Sequence, residues 1–237
     1  MPQPTYEQAM GAAIAACNAG QPNAAMAICA DILQHRPADP AAHQLRALLY
    51  LQSGQPILAQ THIQHSLQAR PGYPPALLLA GKIARALDDL AGAADLFNLA
   101  AAHAPTSAEP AYLRGLTLLE QGHKVQAAQV LQALVLAHPQ HAAAWFQLGV
   151  VRQDMGELPA ALAAFQAAMQ HQPGHAEAAV NLGIVLQELG RLPDAMQAYR
   201  QAYRLRPDTF GRIAQALTSS PHGALWLDQA DLRTLLA

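Results

Sequence analysis

AAAWFQLGVVRQDMGELPAALAAFQAAMQHQP, residues 142–173, reads as two helices joined by a tight turn and closed by a proline. The first half holds Trp145, Leu148 and the small Gly149. Gly156 then supplies a residue that tolerates the left-handed conformation in which helices commonly end. Pro159 falls in the first turn of a second helix, where its missing N–H is no loss. Ala161, Phe165 and Ala168 give that helix an apolar face, and Pro173 stops it because the residue before a proline avoids helical dihedrals.

The same grammar extends in both directions. Pro37, Pro71, Pro105, Pro139, Pro173 and Pro207 are spaced by 34 residues every time, with no insertion. Alanine recurs at 25, 59, 93, 127, 161 and 195. A column of small residues, Ala13, Ala47, Gly81, Gly115, Gly149 and Gly183, lies midway along each first helix. A column of larger ones, Cys29, Ile63, Phe97, Leu131, Phe165 and Tyr199, lies on each second helix. Small side chains let two helix axes approach to the short end of the usual ~8–10 Å range. The turn column is Gly20, Gly54, Asp88, Gly122, Gly156 and Gly190; Asp88 is followed by Asp89, a good N-cap.

These columns resemble the tetratricopeptide repeat family, whose W-x-x-L-G, alanine, aromatic and closing proline are clearest at Trp145, Leu148, Gly149, Ala161, Phe165, Ala168 and Pro173. The resemblance runs over about residues 6–209. Repeats one and two depart from it, with Ala9 and His43 in the tryptophan column, and Arg46 and Arg114 stand where Leu148 and Leu182 sit. It implies an all-α fold, a right-handed superhelical solenoid of tandem helix-turn-helix repeats with a C-terminal capping helix. The expected organisation is an N-terminal cap over 1–5, repeats over 6–39, 40–73, 74–107, 108–141, 142–175 and 176–209, a solvating helix over 210–220, and an apolar tail over 221–237.

The resemblance also implies that the first helices line a concave groove that binds a protein or peptide. Carried over by position, the inward columns are Met10 and Ile14, Gln44 and Leu48, Leu78 and Lys82, Tyr112 and Leu116, Phe146 and Val150, then Val180 and Ile184. One turn further lie Leu51, Arg85, Leu119, Gln153 and Gln187. The groove is largely apolar and suits an amphipathic helix or extended apolar peptide. Lys82 and Arg85 interrupt it; Arg85 stands at ion-pairing distance in sequence from Asp88 and Asp89, and that local pair is the expectation. The family's carboxylate clamps and asparagine ladders are not matched, since Asn181 is the one rung recognisable here.

Composition supports the same reading. Hydrophobic residues make up 52% but aromatics only 5%, an excess owed to alanine, the best helix former. The net charge of -2, with no block of like charges, gives no source for phosphate-driven nucleic-acid binding. No apolar run approaches the roughly 20 residues of a membrane span, and a cytoplasmic setting is expected. Cys17 and Cys29 match no zinc or redox spacing and read as reduced thiols. His62 and His65, His138 and His141, and His171 and His175 have spacings that place imidazoles together, but no cysteine or carboxylate cluster completes a metal site. No nucleophile elbow, phosphate loop or dinucleotide fingerprint occurs, so no enzyme activity and no cofactor are expected.

Thr5 and Gln8 fit a capping box at the start of the array, and FGRIAQAL, residues 210–217, would continue as one more first helix. Beyond it, Asp228 is a candidate N-cap for a short helix, and Leu225, Trp226, Leu227, Leu232, Leu235 and Leu236 make the tail apolar. Two readings stay open: the tail folds back over the last repeat, or it docks the solenoid onto a catalytic subunit or another chain. Carriage of an aliphatic ligand in the groove is a third function from a different class, and oligomeric state is left open. Deletion of residues 221–237 separates the tail readings: a fall in melting temperature is expected from a cover, and an unchanged value from a pure docking segment.

Overall fold

A computed structural model of the chain describes residues 5–219 and 229–237, in two compact units divided after Gln121. Among the described residues every regular element is helical. The first unit holds α1 (Tyr6–Asn18), α2 (Pro22–His35), α3 (Pro40–Gln52), α4 (Pro56–Ala69), α5 (Pro74–Ala86), α6 (Leu90–His103) and α7 (Ala108–Glu120). The second holds α8 (Lys124–Ala137), α9 (Ala142–Asp154), α10 (Leu158–His171), α11 (Ala176–Glu188), α12 (Leu192–Leu205), α13 (Phe210–Ser219) and α14 (Gln229–Leu236). A single 3-10 turn, Pro207–Thr209, leads into α13. Within each unit, successive helices pack on one another.

The ends of these helices follow from their residues. The residues preceding the six ruler prolines leave the helix with φ between -130° and -153°. Gly156 takes φ 75°, so that the Glu157 amide can reach back to the Arg152 carbonyl at 2.9 Å and close the last turn. Asp88 does the same work at φ 63°, with the Asp89 amide bonded to the Ala84 carbonyl at 2.9 Å. Aspartate is among the few residues that tolerate this region. Asp89 then caps α6, its carboxylate accepting from the Gly92 amide at 2.9 Å. At the N-terminus Thr5 and Gln8 form a reciprocal capping box.

The core repeats with the sequence. All six column alanines are fully buried, and so is every member of the large column to within 2%. A Cβ placed on Gly81 would lie 2.5 Å from the Phe97 ring, and one on Gly149 2.6 Å from that of Phe165. Gly183 meets Tyr199 in the same way. In the first two hairpins the partners are smaller: Ala13 shares a cluster with Cys29, and Ala47 with Ile63. In these five hairpins glycine stands opposite an aromatic ring and alanine opposite a smaller side chain, whereas in register Gly115 is matched with Leu131.

The C-terminal end is covered by the chain itself. Ile213 and Leu217 of α13, and Leu232 and Leu236 of α14, join Ala195, Ala198, Tyr199 and Ala202 in one cluster. Arg200 and Arg204 on α12 donate to the carbonyls of Leu235 and Ala237, each at 2.8 Å, and Arg233 lies over the Phe210 ring at 4.2 Å. Leu225, Trp226, Leu227 and Asp228 of the tail lie outside the described residues.

The glycine–aromatic contact predicts strong coupling. Gly149→Ala alone is expected to cost about 1–3 kcal/mol by overpacking, and Phe165→Ile alone about 2 kcal/mol through the space it leaves. The double variant recreates the Ala47 and Ile63 pairing. It should lose less than the sum by about 1 kcal/mol or more, read from denaturant unfolding of all four proteins.

Candidate functional site

The stripes at i, i+4 and i+7 on first helices decide what the first unit presents to solvent. Met10 and Ile14 from α1, Gln44, Leu48 and Leu51 from α3, and Leu78 and Lys82 from α5 line one cleft of about 390 Å³. Leu45 and Leu79, nearly buried, form its floor. Ile14 is 47% exposed and borders the other apolar side chains of the cleft. Gln44 and Lys82 are the polar side chains among the lining residues.

The charges beside this cleft neutralise one another. Lys82 Nζ donates to Glu109 at 2.7 Å. Arg85 does not turn back to Asp88 or Asp89; it reaches across to α7 and holds Glu120 through both Nε and a terminal nitrogen. The correction has a simple cause. Asp88 is committed to the left-handed turn and Asp89 to capping α6, whereas Glu120, one repeat on and one residue further, faces Arg85 from the next first helix. Tyr112 and Leu116 on α7 are half-buried.

In the second unit the corresponding columns are more heavily used by the fold. Phe146 sits 5.9 Å from the Phe165 ring and 4.6 Å from that of His175. Val150 and Ile184 are half-buried. Val180, read from sequence as a groove contact, is fully buried in the cluster that includes Ile213 and Leu217 of α13, and it offers no surface. Gln187 is equally spent: it accepts from the Tyr199 hydroxyl at 2.9 Å and donates to the Ala216 carbonyl at 3.1 Å. Asn181 accepts from Arg212 at 2.8 Å. Thus α13 occupies the inward side of α11. Of the tail leucines, Leu232 and Leu236 are fully buried and Leu235 is 40% exposed.

Histidines take structural roles that spacing alone did not reveal. His141 and His175 are N-caps, accepting through Nδ1 from the amides of Ala144 and Ala178 at 3.1 and 3.2 Å. His43 fills the tryptophan column in kind: its Nε2 bonds the Pro37 carbonyl at 2.9 Å, as Trp145 Nε1 bonds the Pro139 carbonyl at 2.7 Å. Its Nδ1 lies 2.8 Å from Nδ1 of His62. Arg46, in a leucine column, packs partly buried against Tyr50, to whose hydroxyl it donates at 3.0 Å. Among the described residues no group of three or more histidine, cysteine, aspartate or glutamate side chains is arranged to hold a metal. Burial pushes the Cys29 thiol up to about 11, a value that leaves little thiolate at neutral pH. Among the described residues no helix is long and apolar enough to cross a membrane.

The lateral ion pairs are exposed, so they should contribute little to stability. Glu109→Gln combined with Glu120→Gln is expected to lower stability by less than about 1 kcal/mol. The loss should shrink further at high salt, as read by urea unfolding at two ionic strengths.

Two family models described as "Tetratricopeptide repeat" match the chain, one over residues 112–152 and the other over 138–208. No curated protein sequence matches it. Among solved structures it is similar to YrrB, with TM-score 0.64 and 22% identity over 76% of this chain and 93% of that one. It is similar to MamA of Desulfovibrio magneticus RS-1, with TM-score 0.64 and 21% identity over 71% and 96%. Similarity extends to PilF of Pseudomonas aeruginosa, with TM-score 0.74 and 15% identity over 90% and 97%. With the recurring small, large and proline columns, these matches identify the chain as a tetratricopeptide-repeat protein, an all-α solenoid of helix hairpins.

Proposed function

We propose that this protein is a non-catalytic interaction scaffold that holds an apolar or amphipathic segment of a protein partner against the inward faces of its first helices. The observation that carries this reading is the cleft formed by Met10, Ile14, Leu48, Leu51 and Leu78, with Lys82 at its edge. Aliphatic side chains from three successive first helices leave apolar surface in water, and covering it is favourable by about 25 cal/mol per Å². Its volume of about 390 Å³ is in the range of sites that accept a few apolar side chains.

The contact set in this reading is Leu48, Leu78, Lys82, Arg85, Tyr112 and Leu116 of the first unit. Twelve helices from Tyr6 to Leu205 fit six repeats with boundaries at 39, 73, 107, 141, 175 and 209. Support comes also from YrrB, a TPR protein described as having an unusual peptide-binding site. Docking through the tail has less support, because Leu232 and Leu236 already cover the last hairpin.

Peptides selected from a displayed random library on the intact protein test the reading. Apolar or amphipathic sequences are expected, with affinity falling at least about tenfold in Leu48→Glu and in Leu78→Glu, equivalent to about 1.4 kcal/mol. Circular dichroism must show unchanged helicity in each variant. Selected peptides that bind both variants as well as the parent would sink the groove assignment.

A further inference from the structure

Two histidines from different helices of the second hairpin meet nitrogen to nitrogen. His43 on α3 is 6% exposed, and its Nδ1 lies 2.8 Å from Nδ1 of His62 on α4. The other nitrogen of His43, Nε2, faces the Pro37 carbonyl at 2.9 Å. A carbonyl only accepts, so Nε2 must carry a proton; in the neutral ring Nδ1 is then a bare acceptor, and the proton in the short contact belongs to His62. His65 stacks on His43 with centroids 4.7 Å apart, and Tyr50 stacks on His62 at 5.4 Å.

The surroundings oppose a second proton. Arg46, on α3, sits against Tyr50, and its buried Nε has no hydrogen-bond partner. The groups that bear on the pair are Arg46 from α3 and His65 from α4, both of which disfavour charge, and, on His43, the Pro37 carbonyl and more weakly Asp39 at the start of α3, which favour it. From α2 the Cys29 thiol lies near Arg46, and being uncharged it supplies no counter-ion. A first proton leaves one hydrogen in the 2.8 Å contact, because His62 can shift its own to Nε2; a proton on each ring puts a hydrogen on both nitrogens and breaks it. Protonating His62 places a cation near Arg46 in a part-buried setting.

We infer that the His43–His62 contact is an acid-sensitive latch, in which protonation of both rings releases α4 from α3 and loosens the cleft that α3 helps to form. The elements are already connected for this: α3 carries Gln44, Leu45, Leu48 and Leu51 of the cleft, and His43 is the residue beside them. The latch stands on the two imidazoles alone and holds whatever the cleft binds.

The direction of the pH effect follows from linkage. Burial lowers both histidines from their ordinary 6.5: His43 against the opposing pull of the Pro37 carbonyl, and His62, with Arg46 adding to the effect, to about 4. A base with a depressed folded value contributes its full stability above the unfolded value. That contribution is lost as pH falls from about 6.5 towards the folded value, because the unfolded or opened state takes up the proton first.

Hydrogen exchange by mass spectrometry on the full chain, at pH 7.0 and 5.0 and corrected for intrinsic rates, tests this. Opening of 40–69 is expected to rise on the order of tenfold at pH 5.0, after allowance for partial exposure of the rings, while 142–171 changes little. His62→Gln keeps an N–H donor towards His43 without a titrating ring, and His43→Trp installs the side chain that makes the same carbonyl contact at Trp145. Both should flatten the pH dependence. Nitrogen-15 spectra of the parent protein give a readout independent of variant folding, in which His62 should titrate well below 6.5. Equal opening at both pH values, an undiminished rise in both variants, or a His62 midpoint near 6.5 would each overturn the latch.

Discussion

The contact between a small residue on each first helix and a large side chain on the second is what the rest of the structure depends on. In α5–α6, α9–α10 and α11–α12 an aromatic ring lies directly against a glycine, closer than any Cβ allows. The ring fills the space that the glycine opens, and the buried alanine of the same second helix lets the backbones stay close. In five of the six repeats the two columns vary together, glycine with Phe or Tyr and alanine with Cys or Ile, so those hairpins keep similar packing while their compositions differ; Gly115 with Leu131 is the exception. Spacing between first helices, and with it the cleft of the first unit, follows from that packing.

A hairpin of this kind cannot bury both of its faces alone, so each relies on the next. At the C-terminal end of the described chain that need is met by α13 and α14. The same covering removes surface from function. Val180 and Gln187 belong to the inward column by register, yet α13 lies over them, and Asn181 is engaged by Arg212. In the first unit Leu48, Leu78 and Ile14 meet no such cover and keep apolar surface in water.

Histidine shows how one residue type serves several ends when its local geometry changes. At 141 and 175 it is an N-cap, doing with a ring nitrogen what Asp39 does with a carboxylate at the equivalent place on α3. At 43 it takes over the hydrogen bond that tryptophan makes at 145, and its spare nitrogen turns the substitution into a titratable contact between helices. A tryptophan there has no second nitrogen to offer.

The sequence by itself determined the helices, their ends and their buried columns, because these depend on spacing within about 34 residues and on the backbone limits of proline and glycine. Gly149, Ala161 and Phe165 were legible as core for that reason, and Leu48 and Leu78 as one stripe of a helix face. Only the tertiary structure decided which carboxylate Arg85 would choose, that Val180 would be covered, and that His43 would meet His62 across 19 residues of chain. Each of these turns on which side chains from different helices end within a few ångströms of one another. That outcome is set by how helices cross and stack, which a repeat period alone does not encode.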